Sequence, residues 1–237
     1  MSVETPIVDT WLASVLGADP TLAALAPCQQ IGVVATGGTF TLTFGTQTTV
    51  PIAFNAPPIG VGSVQAALEA LSSTGTKQTL VFSREVAGWT VVFIGNLANT
   101  LSPITGNGAG LTGPNQALSI TQRARVWSDV APQGAPFPYI ITQAQSAVDV
   151  VAIGPYRIMV DTQYLVKGIA QGQTYSAILQ QIANRIDALI HAQRADTVAG
   201  GGRIVSCVRQ RPFRLTEATN GVQYRQLGGI YEINVQS

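Results

Sequence analysis

Charge is scarce in this chain of 237 residues: Asp, Glu, Lys and Arg together make up 11% of it, against about 25% in an ordinary globular domain. The net charge is only +1, which gives no electrostatic basis for tight, nonspecific nucleic-acid binding. Histidine occurs once, at His191, so a Ser/His/Asp or Cys/His constellation has a single base to draw on and no motif around it. Cys28 and Cys207 are the two cysteines. They lack zinc or redox spacing, and we read them as buried free thiols. No cluster of His, Cys, Asp and Glu has metal-ligand spacing, so neither a metal nor a cofactor is expected. Apolar residues reach 46%, yet no uninterrupted run has the length of a membrane span. The first residues, MSVETPIVDTW, carry neither a basic region nor a signal-like apolar core, which reads as cytoplasmic synthesis. A hydrophobic chain with so little charge is expected to cover much of its surface with other subunits.

What the sequence does have is periodicity. In residues 174–194, TYSAILQQIANRIDALIHAQR, the apolar Tyr175, Ile178, Leu179, Ile182, Ile186, Leu189 and Ile190 recur at three- and four-residue steps. That spacing places them on one stripe of a helix roughly 30 Å long. Thr174 is the expected N-cap and the glycines at 200–202 the break beyond the end. Upstream, Thr5-Pro6 opens a helix with the stripe Ile7, Val8, Trp11, Leu12, Val15 and Leu16, and Asp19-Pro20 opens a short second one. Residues 156–170 alternate as a long strand, with Ile158, Val160, Tyr164 and Val166 on one face and Arg157, Asp161, Gln163 and Lys167 on the other. Strands are also expected at 139–143, 203–209 and 213–215. Asn220-Gly221 is a hairpin turn into a return strand over 222–235.

Between residues 29 and 122 the texture changes. Thr39–Phe44 of TFTLTF alternates strictly, 48–54 returns as a strand, Ser63 caps a short helix, and 78–84, 89–94 and 117–121 read as further strands around the Ala87-Gly88 turn. Residues 95–116 read as loop. The segment carries only Glu69, Lys77, Arg84 and Glu85 as formal charges. The expected architecture is α+β: a mainly antiparallel sheet covered by one long helix plus an N-terminal helix. It is formed by residues 1–28 and 123–237, with a β-rich, sandwich-like domain inserted at 29–122.

With the insert removed, LGADPTLAALAP, RVWSDVAPQGAPFPYIITQ, YRIMVDTQYLVKG, AILQQIANRIDALI and YRQLGGIYEINV resemble, in texture and order, the tail terminator (minor tail) proteins of long-tailed bacteriophages. The insert is similar to small β-rich modules of other phage structural proteins and departs from a compact terminator. The resemblance implies a non-enzymatic virion protein at the head-proximal end of the tail, assembled in the host cytoplasm. It implies a homohexameric ring that caps the tail tube, stops its polymerisation and offers the surface for the head–tail connector protein. Genomic DNA would pass through the lumen without sequence-specific binding. A head–tail connector component, and a virion protein binding glycans through the insert, are the alternatives.

Two groups of residues are candidates for contacts. Arg203, Arg209, Arg211, Arg214 and Arg225 form the densest positive run. They read either as solvated sheet positions or, with Tyr224, as inter-subunit or lumen-facing contacts, where a guanidinium can pair a neighbour's carboxylate. Residues 131–138, APQGAPFP, must be extended and outside the central sheet. Pro132, Pro136, Phe137 and Pro138 there form either a connector or a docking arm. His191 reads as a solvated helix-end residue, and Gly200-Gly201-Gly202-Arg203 lacks the lysine and spacing of a phosphate loop.

Overall fold

The computed structural model describes residues 5–83, 88–151, 157–172, 176–198 and 201–236. In order the chain forms α1 (Thr5–Ala18), α2 (Pro20–Leu25), β1 (Pro27–Val34), β2 (Gly37–Phe44), β3 (Gln47–Thr48), β4 (Ile52–Ala53) and α3 (Val64–Glu69). Then come β5 (Thr79–Ser83), β6 (Gly88–Phe93), β7 (Ile104–Asn107), β8 (Leu111–Thr112), β9 (Ala117–Ala124), β10 (Val126–Ser128) and β11 (Tyr139–Val151). The chain closes with β12 (Arg157–Gln171), α4 (Ser176–Ile190), β13 (Arg194–Thr197), β14 (Arg203–Thr219) and β15 (Val222–Gln236). It divides into two compact units: Met1–Ala26 with Ala124–Gln133 and Phe137–Ser237, and Pro27–Arg123 with Gly134–Pro136.

The first unit is a six-stranded sheet in the order β10-β11-β12-β15-β14-β13, antiparallel except for the β10–β11 pair. α1 and α4 pack on one face of it. The helical stripes are what is buried: Val8, Trp11, Leu12 and Leu16 from α1, and Leu179, Ile182, Ile186 and Ile190 from α4, with Tyr164, Val166, Tyr231, Ile233 and Val235 from the strands. Burying a side chain of this size contributes about 1.5–3 kcal/mol. α4 lies directly on the β12 backbone at Gly168, where an added Cβ would come within 2.9 Å of Ile182 and Leu179. Asp19 joins the helices: its carboxylate accepts from the Leu22 N–H at 2.9 Å, capping α2, and from Arg185 of α4 at 2.6 Å. The chain leaves this unit after Ala26 and returns at Ala124, and there the Arg125 N–H donates to the Ala26 carbonyl at 2.8 Å.

The second unit packs a four-stranded sheet (β5-β6-β1-β9) and a five-stranded one (β2 with β3, β4, β7 and β8) around a core of its own. Phe40 lies against Trp89 at 5.5 Å between ring centroids and Phe44 against Phe93 at 4.7 Å. Ser63 caps α3 by accepting from the Ala66 N–H at 3.0 Å.

Several expectations change. A single long helix does not dominate: α4 is 15 residues and α1 is 14, and there are four α-helices among the described residues. α4 stops at Ile190 because Ala192 adopts a left-handed φ of 63°, and its N–H and the Gln193 carbonyl turn to pair with Cys207. Residues 95–116 are not a plain loop but hold β7 and β8, and 48–54 breaks into β3 and β4 around Pro51. The strands expected at 203–209 and 213–215 are one strand, β14, and the strand ending at 143 runs on to Val151. Residues 131–138 are not wholly extended: Gln133-Gly134 is a turn, and Gly134 has φ 80°. Arg84, Glu85, Ala87, Tyr156, Thr174, Tyr175 and Gly200, and the side chains of Arg157 and Ile158, lie outside the described residues.

Candidate assembly surface

The β14–β15 hairpin turns at Asn220-Gly221, with φ 52° and 77°, as the dipeptide predicts. Its register separates the five arginines. Arg209 lies opposite the buried Tyr231, Arg214 opposite Leu227 and Arg225 opposite Thr216, all on the face that carries α4. Arg203 and Arg211, opposite Gln236 and Ile230, lie on the other face, because bulges between Ile204 and Ser206 and between Arg209 and Arg211 each shift the alternation by one residue. Tyr224, opposite Glu217, is on that second face too.

The arginines differ in their partners. Arg209 pairs with Asp187 at 3.1 Å, and Asp187 also accepts from the Tyr231 hydroxyl at 3.3 Å. Among the described residues Arg203, Arg211, Arg214 and Arg225 have no ion pair. Arg214 and Arg225 line a cleft of about 140 Å³ with Ser176 and Gln180 of the first turn of α4. On the opposite face Lys167 sits over the Phe213 ring at 5.4 Å, and burial lowers its pKa against the raising effect of Glu217. His191 accepts a hydrogen bond at Nδ1 from the Arg209 N–H at 3.1 Å, so it holds the end of α4 to β14.

The proline segment is tied into its own unit at its C-terminal end. Pro138 is buried, and Phe137 stacks on Tyr139 at 5.0 Å and meets Tyr224 at 5.7 Å. Burial raises the Tyr139 pKa, with Tyr224 adding to the effect. Pro132 and Pro136 are half-buried. Both cysteines are free and buried, and burial pushes the Cys207 thiol up to about 12, which leaves it unreactive at neutral pH.

The feature sequence reasoning missed is the edge of the sheet. β10 covers β11 only at Ile140–Thr142 by register, and β13 covers β14 only between Arg203 and Ser206. Ala144 to Asp149 of β11 and Arg214 to Thr219 of β14 are exposed on both faces. Among the described residues no strand lies beside either stretch on its outer side. Three large exposed hydrophobics fall on these two edges: Val148 at 63%, Val208 at 44% and Leu215 at 38%. The alternation of Val148 and Val150 about Asp149 was the available signal.

Among the described residues no group of acidic, histidine or cysteine side chains is arranged to hold a metal, and no helix is long and apolar enough to cross a membrane. Neither protein-family models nor curated proteins give a match to this chain.

Proposed function

We propose that this protein is a structural tail terminator: a homohexameric ring that caps a phage tail tube, halts its growth and presents the surface for the head–tail connector. The carrying observation is a six-stranded sheet in which, among the described residues, the short β10 and β13 leave most of the outer sides of β11 and β14 uncovered, in a chain with 11% charged residues. Bare edges promote association with other chains, and a sheet with one at each side suits a heterologous, ring-closing contact. The resemblance of the discontinuous domain to tail terminators supplies the place in the virion. In this reading capping is steric: one ring face fits the last ring of the tube, and the other offers no surface for a further tube subunit. Arg214 and Arg225, which have no ion pair among the described residues, then serve contacts between subunits, and the 29–122 domain is decoration.

Native mass measurement and electron microscopy of the purified protein test the ring, with a six-fold annulus as the expected result. Added to polymerising tail tube protein, it should shorten the tubes; loss of the gene should give overlong tubes and unjoined heads. Monomer alone, even with tube present, or normal joined particles without the gene, would overturn the reading.

A further inference from the structure

We infer that neighbouring copies join through one defined edge-to-edge strand pairing, β11 of one protomer against β14 of the next, with Asp149 opposite Arg214 and Val148 opposite Leu215. The inference rests on the ring reading and specifies its interface.

Direction comes first. The order β11-β12-β15-β14 is antiparallel at every step, so β11 and β14 run in opposite senses. A second copy added head to tail therefore brings β14 beside β11 antiparallel, and the junction repeats the pairing used inside each protomer.

Backbone phase comes second. On β11 the outward groups at the start are the Ile140 N–H, donated to Arg125 at 2.9 Å, and the Thr142 carbonyl, accepting from Asp129 at 2.8 Å. The bulge between Ala144 and Ser146 advances that alternation by one residue, so Ala147 and Asp149 point their backbone groups outward. On β14 the outward residues are first Cys207, bonded to Ala192 and Gln193, and Arg209, bonded to His191. The bulge between Arg209 and Arg211 again shifts the phase, leaving Pro212, Arg214 and Thr216 outward. Pro212 agrees with this, since proline in a strand belongs where no ladder donor is needed.

Side chains then select the register. Asp149 and Arg214 both lie on the α4 face, opposite Val160 and Leu227 of their own sheets. Val148 and Leu215, opposite Asp161 and Gln226, both lie on the other face. In an antiparallel ladder, setting Asp149 against Arg214 automatically sets Val148 against Leu215 and Ala147 against Thr216. One register thus matches apolar contact and hydrogen-bonding phase together. Moving it by two residues in one direction places Pro212, with no N–H, opposite Asp149; in the other it sets the apolar Val148 against Glu217. The occupant is a second copy because each protomer contributes one edge of each kind.

The test mixes full-length Val148→Cys protein with full-length Leu215→Cys protein under mild oxidation. Residues opposed in a non-hydrogen-bonded pair have Cα atoms about 4.5 Å apart, within disulfide reach. The expected product is a disulfide-linked dimer in the mixture and none with either variant alone. Ala147→Pro, which removes only an outward donor, should weaken self-association by roughly tenfold or more while leaving the circular dichroism spectrum unchanged. A wild-type ring with no mixed disulfide and no response to Ala147→Pro overturns the inference and leaves the ring reading standing. Mixed disulfides in open chains without rings support the strand pairing and overturn the ring. Disulfides with Val148→Cys alone mean a two-fold pairing and overturn the head-to-tail arrangement, as does a protein that stays monomeric throughout.

Discussion

The two units bury their strands in different ways. In the unit of residues 27–123 two sheets face each other, and Phe40, Trp89, Phe44 and Phe93 fill the space between. Of its large exposed hydrophobics, Val50, Ile59, Val61 and Leu101 fall outside strands, and Val34 is the last residue of β1. The unit built from residues 1–26 and 124–237 buries one sheet face under helices and exposes Val148 in β11 and Val208 and Leu215 in β14. The same apolar composition thus fills the space between two sheets in one unit and leaves three large apolar side chains on exposed stretches of strand in the other. Nearly all the charge follows the second pattern, because the 29–122 segment holds only four charged residues, Glu69, Lys77, Arg84 and Glu85.

The contrast is open to direct attack. Trp89 is 4% exposed and donates to the Ala56 carbonyl, so Trp89→Ala should cost about 3–5 kcal/mol. In calorimetry it should lower the transition of the sandwich and leave the other transition in place. Ile182→Ala, at a side chain with no exposure, should cost about 2–5 kcal/mol and move the opposite transition. If both substitutions shift one shared transition, the division into two cores is wrong. Asp19→Ala removes the α2 cap and the Arg185 partner, and should cost about 1 kcal/mol.

The Asp19 effect also depends on pH. Burial alone would raise its pKa, but the Arg185 hydrogen bonds and the Leu22 cap outweigh it and hold the carboxyl below its ordinary value. The stabilisation is therefore present above the unfolded-state value of about 3.9 and is lost as pH falls through the lower folded value. Melting temperatures of wild type and Asp19→Asn should converge in that acid range. Asp161 should give the smallest effect, with the opposite sign. Burial, and then Glu232, raise its pKa, and its Oδ1 is buried without a hydrogen-bond partner. Asp161→Asn should therefore raise the melting temperature at neutral pH, and the gain should vanish at pH values where the wild-type carboxyl is protonated.

What was legible in the sequence follows burial. The α1 and α4 stripes are read correctly because each has one wet and one dry side, and the Asn220-Gly221 turn because its backbone demands those residues. The extension of β11 through Ala144, Gln145, Ser146 and Ala147 was invisible: a strand exposed on both faces has no apolar alternation to show. β14 was split at Arg209–Pro212 because the bulge changes phase and proline reads as a stop. β13, β7 and β8 are too short to carry a period. The arginines were legible as a run, but the bulge that sends Arg211 to one face and Arg209 to the other leaves no mark in the spacing.

The hydrogen bond from Arg125 to Ala26 has a wider implication. A domain whose two ends are tied within one bond of each other can be exchanged like a cartridge, since the host sees only a short gap to be bridged. Any folded module with adjacent termini is a candidate for grafting there, which makes the site a natural port for diversifying such a protein, or for engineering it, without disturbing the sheet that receives it.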